Sequence, residues 1–428
     1  MLRTLIVAFL LPVFASAQWA DVKQLGTGGE AFVAADGKGN VYVTSHLPAQ
    51  LLTSRDFGKT FEKPFNFRNA LGDLHVLTWG EDRLHLVYMY GQAEGLKSWF
   101  STDAGKTLTE GQPYPGPYDR EWIAVNPKTN EVYLTYSDGY IGGPDSKGIY
   151  LASSNDGGKY FARRSQIDKE PAGKFAVDPY LVNTPNGRLF SAWAVSSDKD
   201  TIESYKFAMS DDGGKTWQRR QVIAETHKAL GDTQERWMLG GILSVGEDTV
   251  ICYYQDYNEV EVGGRKHRPL LTLYRISKDA GETFSEPRTL TSKTEIEKSI
   301  AGYDRGKKAD KNFPIYIQSL PWMCADPAGN IHAVFQDNRA GQSWFEGEPL
   351  NLWSVRALSM EAGKDAFGES EKVSQEYIAR RPPLDFMACA ADATRLYIVW
   401  TESTNPKGEW EFSGKLMFGR KNFTKEQR

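Results

Sequence analysis

The chain is poor in cysteine, with only Cys252, Cys324 and Cys389 among its 428 residues. Three cysteines are too few for a disulfide scaffold, and no Cys/His cluster has the spacing of a zinc site. Cys324 and Cys389 occupy equivalent places in two neighbouring strand repeats, so a disulfide bond between them could form. Buried free thiols in strands are the favoured interpretation, because free cysteine packs as a small hydrophobic residue.

The chain also lacks an excess of positive charge. It has 51 Lys and Arg against 55 Asp and Glu, a net charge of −4 and a pI near 6.0. Without a basic field, nucleic acid is not expected as a partner. No cofactor or metal is indicated, and we expect a monomer.

Long apolar runs are missing after the N-terminus, so no membrane span is expected. The N-terminus itself has a positive residue, Arg3, an apolar run at Leu5–Phe14, and the small residues Ala15-Ser16-Ala17. This order is typical of a cleavable signal peptide. We therefore predict that residues 1–17 are removed and that the mature protein is secreted or periplasmic.

The sequence also shows no helical periodicity of any length. It contains short β-prone segments instead. Seven of them share a turn residue before and a strand after, at Val41–Val43, Leu84–Val87, Val132–Leu134, Leu189–Trp193, Val250–Tyr253, Ile331–Val334 and Leu396–Trp400. Radial repetition of four-stranded sheets is the β-propeller architecture. The sequence predicts one all-β domain over residues 18–428, a propeller with seven blades or, less favoured, six. Residues 19–25 are expected to close the last blade.

One phrase of eight residues, S-x-D-x-G-x-T-F, recurs along the chain. Five copies begin at Ser54, Ser101, Ser154, Ser210 and Ser277, and a worn sixth begins at Ser359. Asp accepts hydrogen bonds from nearby backbone N–H groups, Gly supplies a positive φ, and the hydroxyls close the loop. Asp56, Asp103, Asp156, Asp212 and Asp279 are therefore predicted to form turns and not to act in catalysis.

This phrase resembles the Asp-box, or BNR repeat, of the sialidase-like propellers. The resemblance implies that the Asp-boxes lie on turns between the third and fourth strands, on the face away from the active site. On the opposite face, the loops before the first strands and after the second strands converge. These loops are rich in charged and aromatic residues, among them Glu30, Asp73, Glu121 and Asp178.

The chemistry of the residues in those loops indicates the candidate site. Carboxylate pairs can perform acid/base catalysis on a glycosidic bond, arginines can bind a sugar carboxylate, and aromatic rings can stack on sugars. The candidate catalytic residues are Glu235, Tyr257, Asp256, His46 and His75. The candidate substrate-binding residues are Arg120, Arg236, Arg339, Asp119, Trp122, Trp237, Trp322 and Tyr140.

Each candidate also has a structural interpretation. Asp119-Arg120 and Glu235-Arg236 both precede Trp, so they could be repeat elements that lock one blade to the next. Arg339 could belong to a solvated loop, and His46 and His75 could be structural imidazoles at strand ends.

The resemblance implies a glycoside hydrolase, exo-sialidase-like, acting on an acidic glycan. The sialidase catalytic set is not matched, however, since Phe67-Arg68-Asn69 is the nearest phrase to the family's F-R-I-P segment. Two alternatives therefore stay open. One is a non-catalytic propeller that binds glycan or protein. The other is a lyase or rhamnosidase acting on uronate polysaccharides, with His46 or His75 as acid or base.

Overall fold

The computed structural model describes residues 19, 21–80, 82–91, 94–139, 148–198, 201–226, 240–304, 315–316, 318–340, 342–345, 348–379, 386–405 and 413–423. Within these ranges the chain forms strands, antiparallel except for the pair formed by Pro269–Ser277 and Ile315–Tyr316, and one helix, α1 (Lys293–Asp304). The prediction of an all-β propeller is confirmed.

The strands follow one another in chain order through the successive sheets. The first group is β1 (Lys23–Ala35), β2 (Val41–His46), β3 (Gln50–Ser54) and β4 (Phe65–Asn66). The second sheet contains β5 (Ala70–Trp79), β6 (Arg83–Tyr90), β7 (Gly95–Ser101), β8 (Thr109–Glu110) and β9 (Tyr114–Pro115). The third contains β10 (Tyr118–Val125), β11 (Val132–Asp138), β12 (Ile149–Ser154) and β13 (Ala162–Gln166).

The later sheets carry the longer insertions. The fourth contains β14 (Phe175–Asn183), β15 (Leu189–Asp198), β16 (Thr201–Ser210) and β17 (Gln218–Glu225). Next come β18 (Gly241–Val245), β19 (Thr249–Tyr257), the hairpin β20 (Val260–Val262) and β21 (Arg265–His267), then β22 (Pro269–Ser277), β23 (Arg288–Thr289) and β24 (Ile315–Tyr316). The chain continues through β25 (Gln318–Ala325), β26 (Ile331–Asp337), β27 (Gln342–Phe345), β28 (Glu348–Met360), β29 (Glu371–Lys372) and β30 (Tyr377–Ala379). The final strands are β31 (Ala388–Ala391), β32 (Arg395–Glu402) and β33 (Gly414–Asn422).

Five of the sheets are separate blades, each built on an antiparallel meander of four strands. The first strand of each sheet packs against the first strand of the next, in the order β1, β5, β10, β14, β18, β25, β31 and back to β1. These first strands therefore line the axis, and small or apolar residues such as Ala31, Ala124 and Ala388 are buried there.

Strand β1 joins the two ends of the chain. Its first half, from Lys23 to Gly28, pairs with β33, and its second half, from Gly29 to Ala35, pairs with β2. A single seven-stranded sheet results. Nearby, Arg420 donates to the carboxylate of Asp21 at 2.6 Å, which adds a polar contact between the chain ends.

The five Asp-box turns share one hydrogen-bond pattern. In each, the Ser hydroxyl donates to the Asp carboxylate at 2.6–2.8 Å. The same carboxylate accepts the backbone N–H four residues later at 2.8–3.0 Å. The worn sixth copy also turns, with Gly363 at φ 78° and the N–H of Lys364 donating to the carbonyl of Glu361. The predicted turn role of these aspartates is thus observed.

The Asp-box turns also connect neighbouring sheets, because each turn presents backbone carbonyls to the preceding sheet. In five cases a side chain of one sheet donates to such a carbonyl of the next, and in the sixth, from Arg420 to Phe57, the two groups belong to opposite halves of the seven-stranded sheet. The pairs are Tyr42 to Ala104 (2.8 Å), Ser98 to Gly158 (2.7 Å), Ser165 to Gly214 (2.5 Å), Gln221 to Gly281, Tyr274 to Asp365 (2.9 Å) and Arg420 to Phe57 (3.0 Å).

We predict that an Asp-box substitution weakens the fold in a pH-dependent way. Hydrogen bonds from the Thr107 backbone, the Ser101 hydroxyl and the Thr107 hydroxyl lower the pKa of Asp103 to about 2. An unfolded aspartate has a pKa of about 3.9. The stabilisation is therefore present above about pH 4 and is lost as the pH falls towards about 2.

The variant Asp103→Asn should accordingly unfold at lower urea than the parent at pH 7, with a difference that shrinks between about pH 4 and pH 2. Tryptophan fluorescence in urea would follow this. The exposed Glu261→Gln serves as the control, and an Asp103→Asn deficit that is independent of pH would contradict the assignment.

Candidate functional site

A β-bulge recurs near the start of five first strands. In β1, β5, β10, β14 and β25 the pairing with the second strand shifts at the same place. The bulged residues have positive φ although none is glycine, namely Glu30 (46°), Asp73 (51°), Arg120 (55°), Asp178 (51°) and Leu320 (48°). Such a conformation is strained for a residue with a side chain, and it persists where the surrounding structure enforces it. Four of these five residues are charged.

An aromatic plug closes the axis two residues further along these strands. It consists of Phe32, His75, Trp122, Tyr180 and Trp322, together with Phe386. Phe32 lies at its centre, with ring centroids 5.5 Å from His75, 5.6 Å from Trp122, 5.6 Å from Trp322 and 5.0 Å from Phe386. The charged bulge residues lie on the side of this plug away from the Asp-box turns.

The charged layer above the plug contains one Arg–Asp ion pair and one contact between a histidine and a glutamate. The Nε of Arg120 is 3.3 Å from Oδ1 of Asp178, and the guanidinium lies 4.9 Å from the ring centre of Phe386. The Nδ1 of His46 is 3.2 Å from Oε2 of Glu30, which also accepts the backbone N–H of Asp73 at 3.3 Å. Residues of the first four sheets are therefore tied together at the axis.

Glu121 is the most unusual member of this layer. Glu121 is 1% exposed, and neither of its carboxyl oxygens accepts a hydrogen bond from another residue. Burial, followed by the nearby carboxyl group of Asp73, raises the pKa of Glu121 well above its usual value, and Asp119 adds to this shift. The Glu121 backbone N–H and the charge of Arg120 act in the opposite direction. The protonated form of Glu121 is therefore favoured relative to that of an exposed glutamate.

Glu30 shows the opposite behaviour. Burial acts to raise its pKa, but the hydrogen bond and charge of His46, the charge of Arg120 and the Asp73 N–H together lower it below its usual value. Glu30 is therefore ionised at pH 7. The same guanidinium thus influences one glutamate with a raised pKa and one with a lowered pKa, an arrangement that can serve acid/base chemistry.

Several predicted site residues meet at this centre. Arg120, His46, Trp122, Trp322 and His75 all belong to the charged layer or the plug. Asp119 joins them, since its carboxylate accepts the backbone N–H of Arg120 at 2.9 Å.

His75 takes a structural position within the plug. Its Nδ1 accepts the backbone N–H of Ile123 at 3.1 Å, and burial lowers the pKa of His75 to about 3. The imidazole is therefore neutral at pH 7.

Other candidates lie elsewhere. Asp256 accepts the N–H of Tyr257 at 2.8 Å at the end of β19, where both side chains are buried. Arg339 is held by Asp337 through Nε and Nη2, at 2.8 and 2.9 Å, and by Glu295 of α1 through Nη1 at 2.8 Å. Arg339 thus attaches the helix to β26. Glu235, Arg236, Trp237 and Tyr140 lie outside the described residues.

Glu30, Asp73, Glu121 and Asp178 were not among the predicted site residues, although a spacing signal marks three of them. A charged residue stands two positions before an aromatic residue in Glu30-x-Phe32, Asp73-x-His75, Arg120-x-Trp122 and Asp178-x-Tyr180. Glu121 has no such signal, because the residue at its place in the other described strands is Ala31, Leu74, Pro179 or Pro321.

Comparison with known proteins supports the repeat. The BNR/Asp-box repeat family matches residues 208–219, which contain the fourth Asp-box copy. The predicted resemblance to the Asp-box propellers is therefore confirmed. No curated protein matches the sequence.

Solved structures resemble the chain at low sequence identity. The Hadza microbial sialidase Hz136 has a TM-score of 0.47 and 12% identity, covering 91% of this chain and 74% of its own. A GH93 α-L-arabinofuranosidase of Fusarium graminearum has a TM-score of 0.43 and 13% identity, covering 80% and 89%. A polysaccharide lyase, the PL25 ulvan lyase, has a TM-score of 0.49 and 9% identity, covering 88% and 93%. With TM-scores below 0.5 and identities of 9–13%, these similarities say nothing about the chemistry of the site.

Two further properties concern the described part of the chain. It contains no helix long and apolar enough to cross a membrane. In the same residues, no group of three or more His, Cys, Asp or Glu side chains is arranged to hold a metal ion.

We predict that replacing Arg120 destabilises the centre of the propeller. In the variant Arg120→Leu, Asp178 and Glu30 lose a buried countercharge, and breaking a buried pair typically costs about 3–5 kcal/mol. The free energy of unfolding in urea would measure this. The double variant Arg120→Leu/Asp178→Leu should recover part of the loss, because it removes one uncompensated carboxylate. Equal stability of parent and Arg120→Leu would show that the pair is not energetically coupled.

Proposed function

We propose that this chain is a carbohydrate-active enzyme, a glycoside hydrolase, with its site at the centre of the face opposite the Asp-box turns. One observation carries the proposal: the half-buried Glu30 and the buried Glu121, both under the influence of the Arg120 charge, have pKa values shifted in opposite directions. Hydrolysis of a glycosidic bond uses one carboxylic acid to protonate the leaving oxygen and one carboxylate to activate water or attack the sugar.

The two glutamates have distinct proposed roles. Glu121, whose pKa is raised, donates the proton to the leaving oxygen. Glu30, ionised and held by His46, is the carboxylate that acts as base or nucleophile. His46, and after it Arg120, lowers the pKa of Glu30, while the rings of the plug provide an apolar floor on which a sugar can stack.

The charge of the centre bears on the substrate. The described residues supply five carboxyl groups, on Glu30, Asp73, Asp119, Glu121 and Asp178, against the cations Arg120 and, when protonated, His46. This balance favours a neutral glycan. The predicted sialidase-like activity on an acidic glycan depends on additional cations, for which Arg236 is the candidate.

Two other functions have a supporting observation each. A non-catalytic glycan-binding propeller is favoured by the depth of the layer, since Arg120 is 3% and Glu121 1% exposed. A uronate lyase or rhamnosidase is favoured by the His46–Glu30 pair, in which a carboxylate could hold His46 as a base.

We further propose that the propeller has seven blades. The closed order of seven first strands supports this number, as does the change of partner halfway along β1, which divides the seven-stranded sheet into two blades. Export is proposed from the signal-peptide pattern of residues 1–17, and a monomer remains the expected state.

Glu121→Gln provides a prediction that separates catalysis from folding. The amide cannot donate a catalytic proton, so turnover should fall roughly 10²–10⁴-fold. The pKa of Glu121 is raised in the folded state. The free energy of unfolding of the parent therefore decreases as the pH rises above the unfolded pKa of about 4.3. The variant should therefore be more stable than the parent at pH 7 and equal to it below about pH 4.

Urea unfolding and product formation at matched pH would measure both effects. Glu261→Gln, an exposed substitution, is the control and should change neither. Full activity in Glu121→Gln would remove Glu121 from the mechanism.

A glycan panel tests the proposed reaction itself. It would contain neutral arabino- and gluco-oligosaccharides, sialyl-lactose and a uronate polysaccharide, read by product mass and by absorbance near 235 nm. Hydrolysis of a neutral glycan is the expected result. Free sialate would support the acidic-glycan hypothesis, and an absorbing unsaturated product would identify a lyase. Binding without any product would overturn the hydrolase in favour of the binding propeller.

A further inference from the structure

The thiols of Cys324 and Cys389 lie in neighbouring first strands, β25 and β31, which pack side by side at the axis. Sequence alone placed them at equivalent positions of their repeats. The register shows an offset of one residue, because Cys324 pairs with His332 whereas Cys389 pairs with Ile398, and it is Tyr397 that corresponds to His332.

That offset decides the direction of each side chain. Residues directly opposite one another in an antiparallel pair share a face of the sheet, and successive residues alternate between faces. His332 faces the last sheet, since its ring stacks on Phe423 with centroids 4.9 Å apart. Cys324, its pairing partner, therefore faces the last sheet as well.

Cys389 faces the other way. Its Sγ lies 3.8 Å from the carbonyl oxygen of His332, so the thiol crosses from β31 towards the sheet of Cys324. Burial, and after it the neighbouring Cys324 side chain, raises the pKa of the Cys389 thiol well above its usual value. Equivalent positions would have pointed both side chains in the same direction and kept them apart.

We propose that Cys324 and Cys389 form a disulfide bond between these two sheets when the protein meets a disulfide oxidant. Cys324 is partly exposed and Cys389 is 4% exposed. Cys324 attacks an oxidised thiol such as glutathione disulfide, forming a mixed disulfide and releasing one thiolate. Cys389 then attacks the Cys324 sulfur and releases the second. In total two protein thiols are oxidised and one disulfide molecule is reduced to two thiols.

Cys252 is the natural internal control for this chemistry. It is also buried, at 3% exposure, but it lies in β19, the second strand of the preceding sheet. Oxidation of the Cys324–Cys389 pair thus leaves one thiol per chain.

The experiment uses the folded full-length chain, prepared under reducing conditions and incubated with oxidised glutathione. Thiols are then alkylated in denaturant and counted by intact mass. We expect one alkylated thiol after oxidation and three before, with a tryptic peptide that links Cys324 to Cys389. The bond should also raise the Tm by roughly 2–6 °C, reversibly on reduction.

Three variants make the result specific. Cys252→Ser should show no free thiol after oxidation and keep the Tm increase. Cys324→Ser and Cys389→Ser should each lose the internal bond and the increase. Three alkylated thiols in the parent after oxidation, a bond that includes Cys252, or bonds only between chains would each overturn the proposal.

Discussion

The hydrogen bonds from one sheet to the Asp-box carbonyls of the next are the interaction on which this architecture depends. A propeller blade has few covalent links to its neighbours, so the angle between blades must be set by contacts. The Asp carboxylate shapes the turn by accepting several N–H and O–H groups of its own loop. The turn carbonyls are thereby left directed outward, where Tyr42, Ser98, Ser165 or Tyr274 of the preceding sheet can reach them. Local turn chemistry thus fixes a long-range relation.

At the other end of the first strands, the structure is under strain and is not stabilised in this way. There the backbone is strained, at Glu30, Asp73, Arg120 and Asp178, and charged groups are buried. One end supplies stability by satisfying every polar group of a turn, and the other end concentrates groups whose burial is unfavourable. The aromatic plug, which contains Phe32 and Trp122, separates these two ends of the first strands. This division is typical of proteins in which a rigid scaffold supports a destabilised site.

Sequence predicted the parts of the fold that depend on neighbouring residues. The Asp-box turns were visible because Ser, Asp, Gly and Thr at fixed spacing form the same local hydrogen bonds each time. The repeated second strands were visible as short β-prone segments. The bulges were not, because nothing in the residue type of Glu30 or Arg120 favours positive φ. The offset between Cys324 and Cys389 comes from the turns, because Ala325 and Ile331 pair across five intervening residues whereas Ala391 and Leu396 pair across four.

The candidate site was only partly predictable for the same physical reasons. Arg120, Trp122 and His46 were found because their chemistry and loop position both indicated a ligand face. In the sequence, Arg339 resembles Arg120 as a candidate ligand-binding arginine. In the structure, however, it donates a hydrogen bond to Glu295, a residue of the inserted helix α1 that lies 44 residues earlier. The pKa of Glu121 is raised because the side chain is buried beside Asp73 and Asp119. The equivalent residues of the other first strands include alanine and proline, so no repeated sequence pattern marks this glutamate.

The sharing of β1 between the first and last groups of strands has a consequence for biosynthesis. Residues 23–28 are synthesised before the five separate blades, whereas their partner, β33, follows those blades in the sequence. The first half of β1 therefore waits unpaired while the blades are made, with exposed backbone donors and acceptors. The seven-stranded sheet can close only after β33 has been synthesised. A loss of β33 would remove a strand partner of both β1 and β32 at once.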